Sequence, residues 1–376
     1  MKQKTWIEIS RSALRANSFD LKKLFGENVR ILAVVKGNGY GAGIETLVTA
    51  TRSIVDWYGV DSLDEANAVR KFCRNPILIL GYVSIDDAVE IVTKNFSVVL
   101  YDYRVALALS KKATGTKPAK VHIKVDSGLV RLGLSPEEAI RLAKKVSKLP
   151  NIMIEGLCTH YAKLLDENDN KIYPKQLEKF NYVVNSLTRS GIKPKLLHTA
   201  SSVAAFLFPE TRFNMVRIGI LLHGLWGRKS TLELINKNHT RSKLQPIMTW
   251  KTTVINLKKI SSGTSIGYGH SEVVEKKTTV AVLGVGFYDG IDKRYGKIGS
   301  VLIKGKRAKI LGSISMNMCM VDVSHIKNIK IGDTAILIGR SGQEEITAYD
   351  FAELINTSTY EVLSRINPLL PRKLVS

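Results

Sequence analysis

Lys36 follows the apolar run Ile31-Leu32-Ala33-Val34-Val35 and opens the glycine-rich stretch Gly37-Asn38-Gly39-Tyr40-Gly41-Ala42-Gly43. A short apolar, partly β-branched run bounded by glycine reads as a buried parallel strand. An amine where such a strand opens into a loop is placed for covalent chemistry with a carbonyl, and desolvation there would lower its pKa. The plain alternative is an ammonium reaching into solvent at a strand end.

Other strand-like segments end in reactive groups too. One ends Lys124-Val125-Asp126 and leads to Arg131, another ends at His160, a third runs into Ser201-Ser202, and a fourth ends Arg217-Ile218-Gly219-Ile220. Ser202 opens an apolar helical pattern, so its hydroxyl either caps that helix or cradles an anion with nearby N–H groups. Gly219 would let the backbone come close to the same anion. A lysine at one strand end and a phosphate cradle at two others suggest pyridoxal 5'-phosphate, which needs both an amine and an anion site.

The elements that must position these groups alternate regularly up to about residue 225. Strands are expected at 29–35, 57–61, 76–81, 96–101, 119–126, 152–159, 195–199 and 213–217, with helical patterns such as 63–72, 135–149 and 175–189 between them. Ser135-Pro136-Glu137-Glu138 is a strong helix start, a capping serine before proline and two carboxylates. Eight βα units in that length predict an α/β fold, a (β/α)8 TIM barrel with its reactive groups at the carboxyl ends of the strands. Beyond about residue 240 the beat changes to short strands (248–257, 278–285, 301–303, 308–315, 334–338) with glycine turns and one helix near 347–355. The expected organisation is a cofactor-binding barrel over 10–238 and a C-terminal, mostly-β domain over 239–376. The alternating segment 5–9 is expected to pack with that second domain.

The assembled segments resemble the alanine racemases, fold-type III pyridoxal phosphate enzymes. The resemblance begins in Ala33-Val34-Val35-Lys36-Gly37-Asn38-Gly39-Tyr40-Gly41, where relatives usually carry alanine at the positions of Gly37 and Gly39. It continues through His122 to Gly128, Arg131-Leu132-Gly133, Gly156 to His160, Met215 to Gly219, Ser265-Ile266-Gly267-Tyr268-Gly269, Gly286 to Gly290, Ser315-Met316-Asn317 and Thr359-Tyr360-Glu361.

The resemblance implies that Lys36 holds the cofactor and serves as base on one face of the substrate Cα. Tyr268, from the second subunit of a homodimer with shared sites, would serve the other face. Two opposed acid–bases suit a racemisation, because one face loses the proton and the other gains it. It also implies Arg217 at the pyridine nitrogen and His160 linking Arg217 to the tyrosine. Tyr40, Ser202, Gly219, Ile220 and Tyr360 would hold the phosphate, and Arg131 and Met316 the substrate. Lys124 matches a lysine that is commonly carbamylated. D-alanine for peptidoglycan would be the product, with serine or a broader substrate range as the alternative. Phe287, Asn317, Ser201 and His223 depart from the family pattern without touching Lys36 or Tyr268. Those residues bear on substrate preference and rate.

Rival readings explain less. Gly37, Gly39 and Ala42 loosely fit a dinucleotide fingerprint, with Asp61 about 20 residues on, but this leaves Lys36, the eight units and the β domain unexplained. A decarboxylase or aldolase on the same barrel would not call for Tyr268, and a non-enzymatic carrier of the cofactor would lack the second domain. The formal charge of +23 invites a nucleic-acid reading. The lysines are nevertheless scattered, with no basic stripe on any helix, so no nucleic acid partner is expected. Cys73, Cys158 and Cys319 show no Cys-x-x-Cys spacing, so neither a disulfide framework nor a metal site is expected. The N-terminus has no apolar signal core and no run long enough to span a bilayer, so the reading is cytoplasmic with no membrane partner.

Overall fold

In the computed structural model, which describes residues 3–164, 171–238 and 243–376, an N-terminal strand β1 (Thr5–Ser10) precedes the alternating region. The expected strands then form as β2 (Arg30–Val34), β3 (Trp57–Val60), β4 (Ile77–Ile79), β5 (Ser97–Leu100), β6 (Ala119–Lys124), β7 (Ile152–Cys158), β8 (Leu196–His198) and β9 (Met215–Ile218). Strands β3, β4 and β5 are buried throughout, as a sheet covered on both faces requires. The chain forms two compact units, one of Arg15–Lys36 and Val48–Leu222, the other of Met1–Leu14, Gly37–Leu47 and His223–Ser376. The boundary expected at 238/239 falls against residues 239–242, which lie outside the described residues.

The first unit holds the (β/α)8 barrel. Its strands follow the order β8-β7-β6-β5-β4-β3-β2-β9, and all seven registered pairings are parallel. Between β8 and β9 the described residues show no ladder, only the parallel bridge Ser201–Arg217 and the bond from Arg217 N to Ala200 O at 3.1 Å. The helix Pro136–Val146 starts at the expected capping box of Ser135 and Glu138. It buries Ala139, Leu142, Ala143 and Val146, the apolar stripe of an amphipathic helix.

The second unit is mostly β. It contains β1 and the strands β10 (Met248–Ile260), β11 (Ser265–Ile266), β12 (Glu272–Val273), β13 (Thr278–Leu283), β14 (Ser300–Ile303), β15 (Lys306–Leu311), β16 (Cys319–Asp322), β17 (Thr334–Ser341), β18 (Glu344–Ile346) and β19 (Arg372–Val375). Nine of them form one sheet, ordered β18-β17-β14-β15-β16-β13-β10-β1-β19. β1 pairs antiparallel with β10 and parallel with β19. The strand expected to end at 257 continues to Ile260, since Lys258 and Lys259 are exposed and still pair with Val280 and Thr279. The strand expected at 308–315 instead stops at Leu311, where Gly312 takes a left-handed φ of 65°. In the core Tyr295 stacks on Phe351 with ring centroids 3.8 Å apart. Among the described residues no helix is long and apolar enough to cross a membrane.

Candidate active site

β2 delivers Lys36 directly into an unusual turn. Gly37, Asn38, Gly39 and Tyr40 all adopt left-handed backbone, with φ of 61°, 52°, 62° and 50°. Left-handed backbone costs an L-residue roughly 1–2 kcal/mol and glycine little. Gly37 and Gly39 therefore relieve the turn, rather than being a nucleotide fingerprint. The turn is tied by Gly41 N to Gly37 O at 3.1 Å and Gly43 N to Asn38 O at 2.8 Å. Gly41 has a further reason, because a Cβ there would lie 2.0 Å from Leu363 O. Lys36 itself is not desolvated as its place at a strand end suggested. Its side chain is 42% exposed, and Nζ pairs with Asp61 Oδ1 at 3.0 Å. Asp61, the acidic residue of the dinucleotide reading, thus serves the lysine.

On the far strands of the barrel, Arg217 is 7% exposed and almost fully engaged. Nη1 lies 2.9 Å from His198 Nδ1 and 2.8 Å from His198 O. Nη2 donates to Thr159 O at 2.7 Å and Thr199 O at 2.9 Å, and lies 3.2 Å from His160 Nδ1. A guanidinium carries five N–H groups, so among the described residues the Nε–H alone has no partner. His160 is a neutral imidazole, since burial, then Arg217 and Lys124, push its pKa down to about 2. Nη2 has two hydrogens for three acceptors, so His160 Nδ1 shares one of them; since a guanidinium cannot accept, the His160 hydrogen sits on Nε2.

Lys124 ends β6. Burial, with Arg217 and Arg131 adding to it, pushes its amine down to about 8. The loop that follows folds back over it, through Asp126 N to Leu134 O at 2.7 Å and Leu134 N to Lys124 O at 3.1 Å. Gly133 permits this, because a Cβ there would sit 2.8 Å from Lys124 Cγ. Arg131 is exposed and follows Val130, a β-branched residue at φ 55°, a rare backbone for its type. Ser202 does not cap its helix. The N-cap of Ser202–Leu207 is Ser201, and Ser202 Oγ accepts from Gly219 N at 3.1 Å, joining the loops after β8 and β9.

In the second unit Tyr40 lies 6.0 Å from Tyr360 and 5.7 Å from His223 between ring centroids. Gly227 makes room for Tyr360, since a Cβ there would fall 2.6 Å from its ring. Tyr268 projects from a turn in which Gly267 and Gly269 take left-handed backbone on either side of it, and it is 79% exposed. Met316 is also exposed, its carbonyl accepting from Tyr288 N at 2.9 Å.

These groups match a known pattern along the whole chain. Residues 9–226 match the profile of the alanine racemase N-terminal domain, and residues 247–374 that of the alanine racemase C-terminal domain. The chain belongs to the alanine racemase family. It is therefore an isomerase, an amino acid racemase. The alanine racemase of Symbiobacterium thermophilum is 37% identical, with 98% of this chain and 96% of that one covered. That of Halothermothrix orenii is also 37% identical, over 98% and 96%. The solved alanine racemase of Bacillus anthracis with bound L-Ala-P superposes with a TM-score of 0.92 at 30% identity, over 100% and 96% of the two chains.

Sequence reasoning passed over three groups inside this racemase's barrel: His122, Glu155 and His198. All three occupy barrel strands and are buried or nearly so, polar groups set among residues such as Val121, Ile123, Leu157 and Leu196. That polar interruption was the available signal.

Proposed function

We propose that the chain interconverts L- and D-alanine by a two-base mechanism with pyridoxal 5'-phosphate, in a homodimer whose sites are shared. The observation that carries the cofactor reading is the one N–H of Arg217, on Nε, that has no partner among the described residues. It suits a ring nitrogen that must accept a hydrogen bond without being protonated, because a guanidinium keeps its charge. The donor set fits the other end too, since the hydroxyl of Ser202 is already bonded to Gly219 N. Ser202, Gly219, Ile220, Tyr40 and Tyr360 are the residues that would hold the phosphate. When bound, pyridoxal phosphate would supply an electron sink that acidifies the α-proton of the amino acid substrate.

This chain's residues do the rest. Lys36 anchors the cofactor and moves a proton on one face of Cα, its ammonium kept in place by Asp61 until the cofactor arrives. Tyr268 moves the proton on the other face. Its exposure in the single chain supports a role in a neighbouring subunit's site. His160 is neutral, so it assists Tyr268 by donating Nε2–H rather than by charge. Arg131 and the Met316 backbone hold the substrate carboxylate. The depressed pKa of Lys124 supports carbamylation, because an amine at about 8 is partly neutral near pH 7 and so able to add carbon dioxide with loss of a proton. D-alanine made in this way would serve peptidoglycan synthesis in the cytoplasm.

The test is exchange of the α-proton in heavy water with each enantiomer of alanine and serine. Exchange with both alanines, and weaker exchange with serine, is expected. No exchange with any of the four refutes the reading. Lys36→Ala is expected to abolish covalent cofactor attachment, and Tyr268→Phe to impair exchange from one enantiomer more than the other. Activity recovered on mixing these two variants is the signature of shared sites.

A further inference from the structure

A column of buried polar groups runs through the barrel behind Arg217. Glu155 Oε2 accepts from Ser97 Oγ at 2.6 Å and lies 3.2 Å from His122 Nε2. His122 Nδ1 is 2.8 Å from His198 Nε2, and His198 Nδ1 is 2.9 Å from Arg217 Nη1. Both imidazoles are fully buried, and the Glu155 side chain is 13% exposed.

Its two ends fix every proton between them. A guanidinium only donates, so His198 Nδ1 accepts and its hydrogen sits on Nε2. That hydrogen is given to His122 Nδ1, which leaves the His122 hydrogen on Nε2, facing the Glu155 carboxylate. A second proton on either ring would set two hydrogens face to face. Burial, then the charge of Arg217, accordingly holds His198 well below its ordinary pKa. Burial works against the Glu155 carboxylate, yet the His122 bond helps hold it below the ordinary range.

The backbone is shaped for this arrangement. The β6–β7 ladder pairs Val121 with Ile154 and then His122 with Gly156, so Glu155 is the extra residue of a bulge. Bulges re-aim a side chain at the expense of one pairing. The next residue is glycine because a Cβ on Gly156 would lie 2.3 Å from His122 Nδ1.

We propose that Glu155, acting through His122 and His198, is a positioning residue for Arg217. It supplies the acceptor that orients both imidazoles, so that His198 Nδ1 is kept as the acceptor for Arg217 Nη1. The role builds on the reading of Arg217 given above, and Glu155 touches neither substrate nor cofactor.

The test compares the parent with Glu155→Met, which removes the acceptor, and Glu155→Gln, which restores an oxygen. Ring 15N shifts of His122 and His198, read without cofactor, should show single neutral Nε2–H tautomers in the parent and in Glu155→Gln. In Glu155→Met they should show mixed tautomers. In cofactor-loaded protein, Glu155→Met should lose about tenfold in kcat with KM little changed, the scale on which outer partners act, and Glu155→Gln should recover most of that loss. Protonated or Nδ1–H rings in the parent overturn the proposal, whether or not a variant folds. Ordered tautomers in Glu155→Met, or unchanged kcat, overturn it as well while leaving the racemase reading intact. If instead the parent exchanges no α-proton, the racemase reading fails, and the 15N shifts still report on the column.

Discussion

His223 offers a stringent test of how burial governs this protein. It is 1% exposed and lines a largely apolar cavity of about 50 Å³ with Leu225, Met248, Ile346 and Tyr349, among others. Neither ring nitrogen has a hydrogen-bond partner among the described residues. Burial alone pushes its pKa down to about 4, against about 6.5 for an exposed histidine. The unfolded chain therefore binds this proton more readily than the fold, so stability rises with pH across that window. The contribution is intact above about pH 6.5 and is lost as the pH falls toward 4. Between pH 7 and pH 4.5 the loss from this one residue is about 2 kcal/mol. In His223→Phe that share disappears. Melting temperatures of both proteins at the two pH values should show the parent falling further, by roughly 5 °C for a unit of this size. His160 and His198 still give the variant an acid slope, so only the difference is diagnostic. If the two melting temperatures fall in parallel, His223 is not held neutral by burial and the reasoning fails.

Three further outcomes follow from the geometry. Gly156→Ala places a Cβ against the His122 ring and should cost about 1–3 kcal/mol in denaturant unfolding, with mixed His122 tautomers in the 15N spectrum. Gly37→Ala meets open space, so it should cost only the left-handed penalty of about 1 kcal/mol. Gly39→Ala should cost more, because its Cβ would lie 2.7 Å from Leu47 Cδ1; equal stability of the two variants would contradict this. Asp61→Asn removes the partner of Lys36 and should change the rate of cofactor attachment more than overall stability, since exposed ion pairs contribute about 0–1 kcal/mol. A cofactor-binding time course alongside a thermal melt checks it.

Much of the fold was legible because the barrel strands are apolar runs between glycine and proline turns, a signal that depends only on local sequence. Ends were less so. The strand expected at 213–217 starts at Met215, and the short strands β11, β12, β16, β18 and β19 were missed because they are defined by their pairing partners rather than by their own pattern. The strand-end groups Lys36, Lys124 and Arg217 could be found because a barrel puts chemistry at that edge. The desolvation expected of Lys36 could not be judged, since it depends on Asp61 across the loop. The Glu155 column was hidden for a related reason. A bulge decides which way Glu155 faces, and strand periodicity assigns such a residue to the wrong side.

The bridge between β8 and β9 makes the barrel a vessel with one loose stave. Seven neighbours are laced by ladders, while the eighth is joined by the Ser201–Arg217 bridge and, mostly through side chains, by Asn214 to Lys195 and Leu197, by the Arg217 guanidinium to His198 and Thr199, and by the Ser202–Gly219 bond. Breathing of the backbone should concentrate there, because a single bridge replaces the ladder and the remaining bonds run through side chains. A phosphate gripped by Ser202 and Gly219 would clasp both sides of that seam at once. Empty protein would then exchange its amide hydrogens at 215–219 early, and loaded protein late, by simple mass action. Cofactor supply would in this way set how long the molecule survives proteolysis, so that a shortage thins the enzyme population as well as idling it.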